Sequence, residues 1–81
     1  MMASLVVALT KSRAKEYFDR QEFNQEAGDY FIGQGEPSYG NRYDEIIMID
    51  PLVLDGRSWE WLTRGLLTRI HPAGEWVWEL Q

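Results

Sequence analysis

The spacing of apolar residues along this chain switches between two periods, and the switches mark the elements. Residues 3–10, ASLVVALT, place Leu5, Val7 and Leu9 on one side of a strand and Val6 and Ala8 on the other. Apolar groups on both sides are the pattern of a central strand. From Lys11 the period lengthens. Ala14, Tyr17, Phe18 and Gln21 fall on one stripe of a helix, with Thr10 or Ser12 as its N-cap and Gly28 as its stop.

A short strand is expected over 29–32, and the stretch 33–42, with its glycines and proline, reads as a loop. YDEIIMID, 43–50, is the clearest strand, with Ile46 and Met48 opposite Ile47 and Ile49 and Pro51 ending it. LVLDGR, 52–57, fits neither period. Asp55 or Ser58 then caps a helix that runs to residue 70, HPAG (71–74) is a turn, and EWVWELQ (75–81) closes as a strand.

Strand, helix, strand, strand, helix, strand within 81 residues predicts one domain spanning 1–81. The expected class is α+β, a two-layer sandwich of the ferredoxin-like, split-βαβ type. In it an antiparallel four-stranded sheet carries both helices on one face, with the first and third strands central.

Two stretches repeat a tryptophan at i and i+2, and the period decides what each pair does. In EWVWEL the strand period sets Trp76, Trp78 and Leu80 on one face and Glu75, Val77 and Glu79 on the other, so both rings are expected under a helix. In SWEWL the helix period turns the rings about 200° apart. Trp59 then joins Leu62, Thr63, Leu66, Leu67 and Ile70 on the inward stripe, while Trp61 points outward with Arg64, Gly65 and Thr68. Two readings of Trp61 stay open: an anchor for a partner, or a ring lying flat over Gly65.

Composition narrows the chemistry. Thirteen acidic against eight basic side chains give a net charge of −5, which disfavours direct nucleic-acid binding and suits a basic partner. The chain has no cysteine, so disulfides and thiolate chemistry are excluded and a reducing, cytoplasmic setting is expected. Leu5–Leu9 is too short an apolar run to span a bilayer, and the first residues lack the basic start of a secretory signal.

Glu16, Asp19, Glu22 and Glu26 share a flank of the first helix and Asp29 follows, a row that resembles phosphate spacing and competes for Lys and Arg on a partner. The same row also reads as a solvated face, since Arg20 interrupts it. Asp44, Glu45, Asp50 and Asp55 extend the negative region if they lie on the same side.

Catalytic signals are weak. His71, the one histidine, stands before Pro72 in a turn and suits a helix cap or plain surface. Asp44 and Glu45 are adjacent and face opposite ways on a strand. GQGEPSYG lacks the lysine and spacing of a phosphate cradle. No cofactor or metal is expected and the chain reads as a non-enzyme.

These features converge on a small acidic inhibitor or binding protein that occupies a basic, nucleic-acid-binding site on a larger protein or nucleoprotein complex. Glu16, Asp19, Glu22, Glu26, Asp29, Trp61, Arg64 and Tyr39 are its candidate contacts. In size and charge alone the chain is similar to phage-encoded anti-CRISPR inhibitors. The alternative is an assembly module, a homodimer formed through the uncovered sheet face. A weaker third reading is an enzyme using Tyr39, Arg42 and the loop acids.

Overall fold

In the computed structural model, which describes residues 3–37, 42–52 and 55–81, four strands form one sheet in the order β2-β1-β3-β4. The strands are β1 (Ser4–Ala8), β2 (Tyr30–Gly33), β3 (Tyr43–Met48) and β4 (Ile70–Trp78). β1 and β3 are central, as their two-sided apolar patterns predict. Every pairing in the sheet is parallel: β1 with β2, β1 with β3, and β3 with β4.

The antiparallel ferredoxin-like expectation is therefore wrong. Parallel neighbours need a crossover of about a dozen residues or more, and helix-bearing segments supply one between β1 and β2 and another between β3 and β4. The helices also lie on opposite faces, not on one. α1 (Lys11–Arg20) packs Ala14, Tyr17 and Phe18 against Val6, Ala8, Phe31 and Ile47. The segment after β3 packs Trp61, Leu62 and Leu66 against Leu5, Val7, Ile32, Ile46 and Met48. Leu5, Val6, Val7 and Ala8 are all wholly buried, which requires cover on both faces.

Local chemistry sets the boundaries. The Thr10 hydroxyl accepts the Arg13 amide and starts α1. α1 stops at Arg20, earlier than the pattern implies, because Glu22 takes a left-handed φ of 60°. A 3₁₀ turn, Gln25–Ala27, follows and ends on Gly28 at φ 101°. On the other side, the Asp55 carboxylate accepts the Ser58 amide and starts α2 (Gly56–Glu60). α2 then widens into a π-helical stretch, Trp61–Leu66, and tightens into a 3₁₀ turn, Leu67–Arg69.

Candidate protein-binding surface

β4 is an edge strand with two unlike halves. Tyr43 pairs with Ile70 and Glu45 with Glu75, so β4 spends extra residues, His71–Gly74, against a single residue of β3. The turn expected at HPAG is this bulge inside the strand. His71 Nδ1 accepts the Ala73 amide at 3.2 Å, which holds the bulge in shape. A Cβ on Gly74 would stand 2.7 Å from the Asp44 carbonyl oxygen, so the close approach of β3 admits only glycine there.

Beyond the bulge the alternation is regular. Val77 packs into the α1 face, with Glu75 and Glu79 on that side by alternation, and Trp76 packs into the α2 face. The two indoles meet edge to face, centroids 6.1 Å apart. The expected shared face of Trp76, Trp78 and Leu80 is present, but its burial is not. Trp76 is half-buried, whereas Trp78 is 55% and Leu80 58% exposed. The covering segment lies over β1 and β3 and leaves the end of β4 bare.

The second tryptophan pair is the reverse of the expectation. Trp59 is 57% exposed, and Trp61 is half-buried against the core. In a π-helix the bonds run i to i+5, so residues five apart come to one side. Trp61 and Leu66 then share the inward face with Leu62, and Leu67 is pushed out to 43% exposure. The Trp61 indole Nε1–H donates to the Glu36 carbonyl oxygen, and its Cδ1 lies 3.8 Å from where a Gly65 Cβ would be. Trp61 is thus a packing residue over Gly65, not an outward anchor.

Together Pro51, Leu52, Leu62, Leu67, Trp76, Trp78 and Leu80 line an open apolar groove of about 410 Å³. It sits at the carboxyl ends of β3 and β4, the end at which open parallel sheets take ligands. The sequence pattern placed Trp76, Trp78, Leu62 and Leu67 in the core; LVLDGR gave no period, so the wall formed by Leu52 had no signal.

The acidic row is broken up. Asp19 takes Lys15 at 2.6 Å and Glu16 takes Arg20 at 3.1 Å, both exposed pairs one helical turn apart. Glu22 and Glu26 lie past the end of α1. The Asp29 carboxylate is structural, accepting the amides of Ser4 and Asn24. Arg64, largely exposed, pairs with Glu60 at 3.4 Å. Tyr39 lies outside the described residues.

The second acidic group is divided between the two ends of the sheet. Asp44 accepts the Ala3 amide and Glu45 the Ser4 hydroxyl, at the amino ends of the strands. Asp50 and Asp55 lie past the carboxyl end of β3. Asp50 is nearly buried; it accepts the Leu9 amide at 2.8 Å and both nitrogens of the Arg13 fork at 2.7 and 2.6 Å. The Arg13 hydrogen bond, helped by the Leu9 amide, holds its carboxyl below the usual range against the cost of burial. That ion pair fills the point between β1 and β3 where the strand order reverses.

Among the described residues, no three His, Cys, Asp or Glu side chains are placed to hold a metal ion. No helix among them is long and apolar enough to cross a membrane. Comparison of the chain with protein-family models, curated proteins and solved structures finds no match.

Proposed function

We propose that this chain is a non-enzymatic protein-binding module that engages a basic partner through the apolar groove beside β4. The observation that carries the reading is the pair Trp78, the last residue of β4, and Leu80, two residues beyond it, both more than half exposed next to half-buried Trp76. A tryptophan held by a strand loses little freedom on binding and buries a large area, which is why such rings anchor interfaces. The net charge of −5 supports a basic partner, since complementary fields speed encounter and reject like-charged competitors. Occupying a basic surface in this way is how such a module would inhibit a larger protein.

The acids of α1 contribute little to this, because Lys15 and Arg20 already neutralise them. An assembly module stacking sheet on sheet loses its premise, because α1 covers one face and the π-helical segment the other. The test is a photo-crosslinking phenylalanine derivative placed at Leu80 and, separately, at Lys15 on α1. The groove reading expects a basic protein captured from position 80, and lost when Trp78→Ser is added. Capture from position 15 with none from 80 would overturn it.

A further inference from the structure

We infer that the partner element held by this module is an extended peptide segment, added as a fifth strand along the outer edge of β4. Its residues follow the order basic, apolar, any, apolar, basic. The inference rests on the groove reading above and gives the partner its chemistry.

The backbone provides the first half of the argument. The Glu79 amide donates to the Met48 carbonyl at 2.9 Å and the Gln81 amide to the Ile49 carbonyl at 3.0 Å. Backbone groups alternate sides along a strand, so the N–H and C=O of Trp76, Trp78 and Leu80 face the open edge. Among the described residues β4 is the outermost strand on its side of the sheet, and no further strand pairs with these groups. Edges of this kind accept an added strand unless something blunts them. Here the blunting stops short: the bulge at 71–74 contains Pro72, which has no amide to give, and the regular edge begins at Glu75.

The side chains provide the second half. Residues directly opposite in paired strands share a face and interact. An added strand therefore places two side chains over Trp76 and Trp78, against the groove, where apolar groups are favoured. On the reverse face it meets Glu75, Val77 and Glu79. Glu75 also lies beside Glu45 in register, and neither Glu75 nor Glu79 makes an ion pair among the described residues. Arg13 and Arg20, across the α1 face, are held by Asp50 and Glu16. Two basic residues four apart on the incoming strand match Glu75 and Glu79.

The same charges argue against a second copy of this chain in the register that would set the two tryptophans of each copy opposite each other. In the antiparallel register that matches Trp76 to Trp78 in both directions, Glu75 lies opposite Glu79 twice, and like charges directly opposite are unfavourable. The motif reads the same in either direction, so the segment runs either way along β4.

The experiment uses a fluorescein-labelled KLVLK peptide between Ser-Gly flanks, with ELVLE as the charge-reversed control. A third version of KLVLK carries N-methyl groups on all five backbone amides of the motif, because parallel and antiparallel addition use different ones. KLVLK is expected to bind about tenfold or more tighter than ELVLE. N-methylation should remove binding, and Glu75→Lys with Glu79→Lys should invert the preference. Equal binding of the three peptides, or no binding of KLVLK at about 1 mM, overturns the inference. A concentration-dependent dimer abolished by Trp78→Ser also overturns it, assigning the edge to a second copy. If KLVLK fails while the crosslinker at position 80 still captures a basic protein, the added strand falls and the groove reading stands.

Discussion

The Trp61 indole donates its Nε1–H to the backbone carbonyl oxygen of Glu36 at 2.7 Å, across 25 positions of sequence. The bond ties the connection after β2 to the segment that covers the α2 face, so one ring both fills core space and satisfies a loop carbonyl. Trp59, two residues earlier, does neither and lies exposed.

The two tryptophans should therefore behave oppositely on truncation. Trp59→Ala is expected within about 0.5 kcal/mol of the parent, as for surface changes in general. Trp61→Ala should cost about 2–3 kcal/mol, less than a fully buried ring because Trp61 is only half-buried. Trp61→Phe, which keeps most of the packing and loses the indole bond, should cost about 1 kcal/mol. Urea unfolding monitored by circular dichroism measures all three. A larger loss at Trp59 than at Trp61 would mean the helix faces the other way.

Two glycines give a second pair of opposite outcomes. A Cβ on Gly33 would lie 2.5 Å from the Lys11 backbone nitrogen and 2.9 Å from the Thr10 carbonyl carbon. Backbone cannot yield as a flexible side chain can, so Gly33→Ala should force the start of α1 off β2 and cost about 1–3 kcal/mol. At Gly65 the nearest contact is an ordinary 3.8 Å to the Trp61 ring. Alanine there restricts the unfolded chain without strain and should stabilise by about 0.4–1 kcal/mol. Thermal melts of the two variants should move in opposite directions.

The fold was legible in parts, and the parts have physical reasons. Central placement of β1 and β3 followed from residues such as Val6 and Val7, apolar on successive positions and so buried on both faces. That same pattern belongs to a parallel sheet with cover on each side; the antiparallel choice, with one face open, was at odds with it. The capping Thr10 and Asp55, and the α1 stripe of Ala14, Tyr17 and Phe18, were local and could be read directly. The widening at Trp61–Leu66 could not, because a π turn shifts the angular position of every later residue while leaving the apolar count unchanged. That shift reversed the tryptophans. The groove depends on how far the segment after α2 reaches toward β4, a tertiary distance that no period in EWVWEL encodes.

Reversing charge at Asp19 and Glu22 tests how the acids take part. Asp19 is exposed and already paired with Lys15, and Glu22 sits in a turn beyond α1. Asp19→Lys with Glu22→Lys should slow association with a basic partner severalfold at low salt and leave the dissociation rate nearly unchanged, the behaviour of charges at a rim or beyond it. Surface plasmon resonance at two salt concentrations separates the rates. A large rise in dissociation rate would put these acids inside the contact.

Asp50 sets how the fold responds to acid. Its hydrogen bonds from Arg13 and Leu9 hold the folded carboxyl below the usual carboxylate range, whereas in the unfolded chain it titrates near the ordinary value of about 3.9. Above that value the carboxylate is ionised in both states and its stabilisation is complete. As pH falls through about 4 the unfolded chain takes up the proton first, and the contribution is lost progressively until the folded carboxyl also protonates. Asp55, held low by the Ser58 amide and hydroxyl, adds a contribution of the same sign, so the parent alone cannot isolate either. Asp50→Asn should lower stability at neutral pH by about 1–2 kcal/mol; hydrogen bonds to charged groups run somewhat higher, but Arg13 is half exposed and water screens the pair. The decisive reading is the slope: between about pH 4 and 2 the unfolding free energy of Asp50→Asn should fall less steeply than that of the parent. Parallel slopes would mean that the carboxyl titrates alike in both states and that the Arg13 fork contributes packing alone.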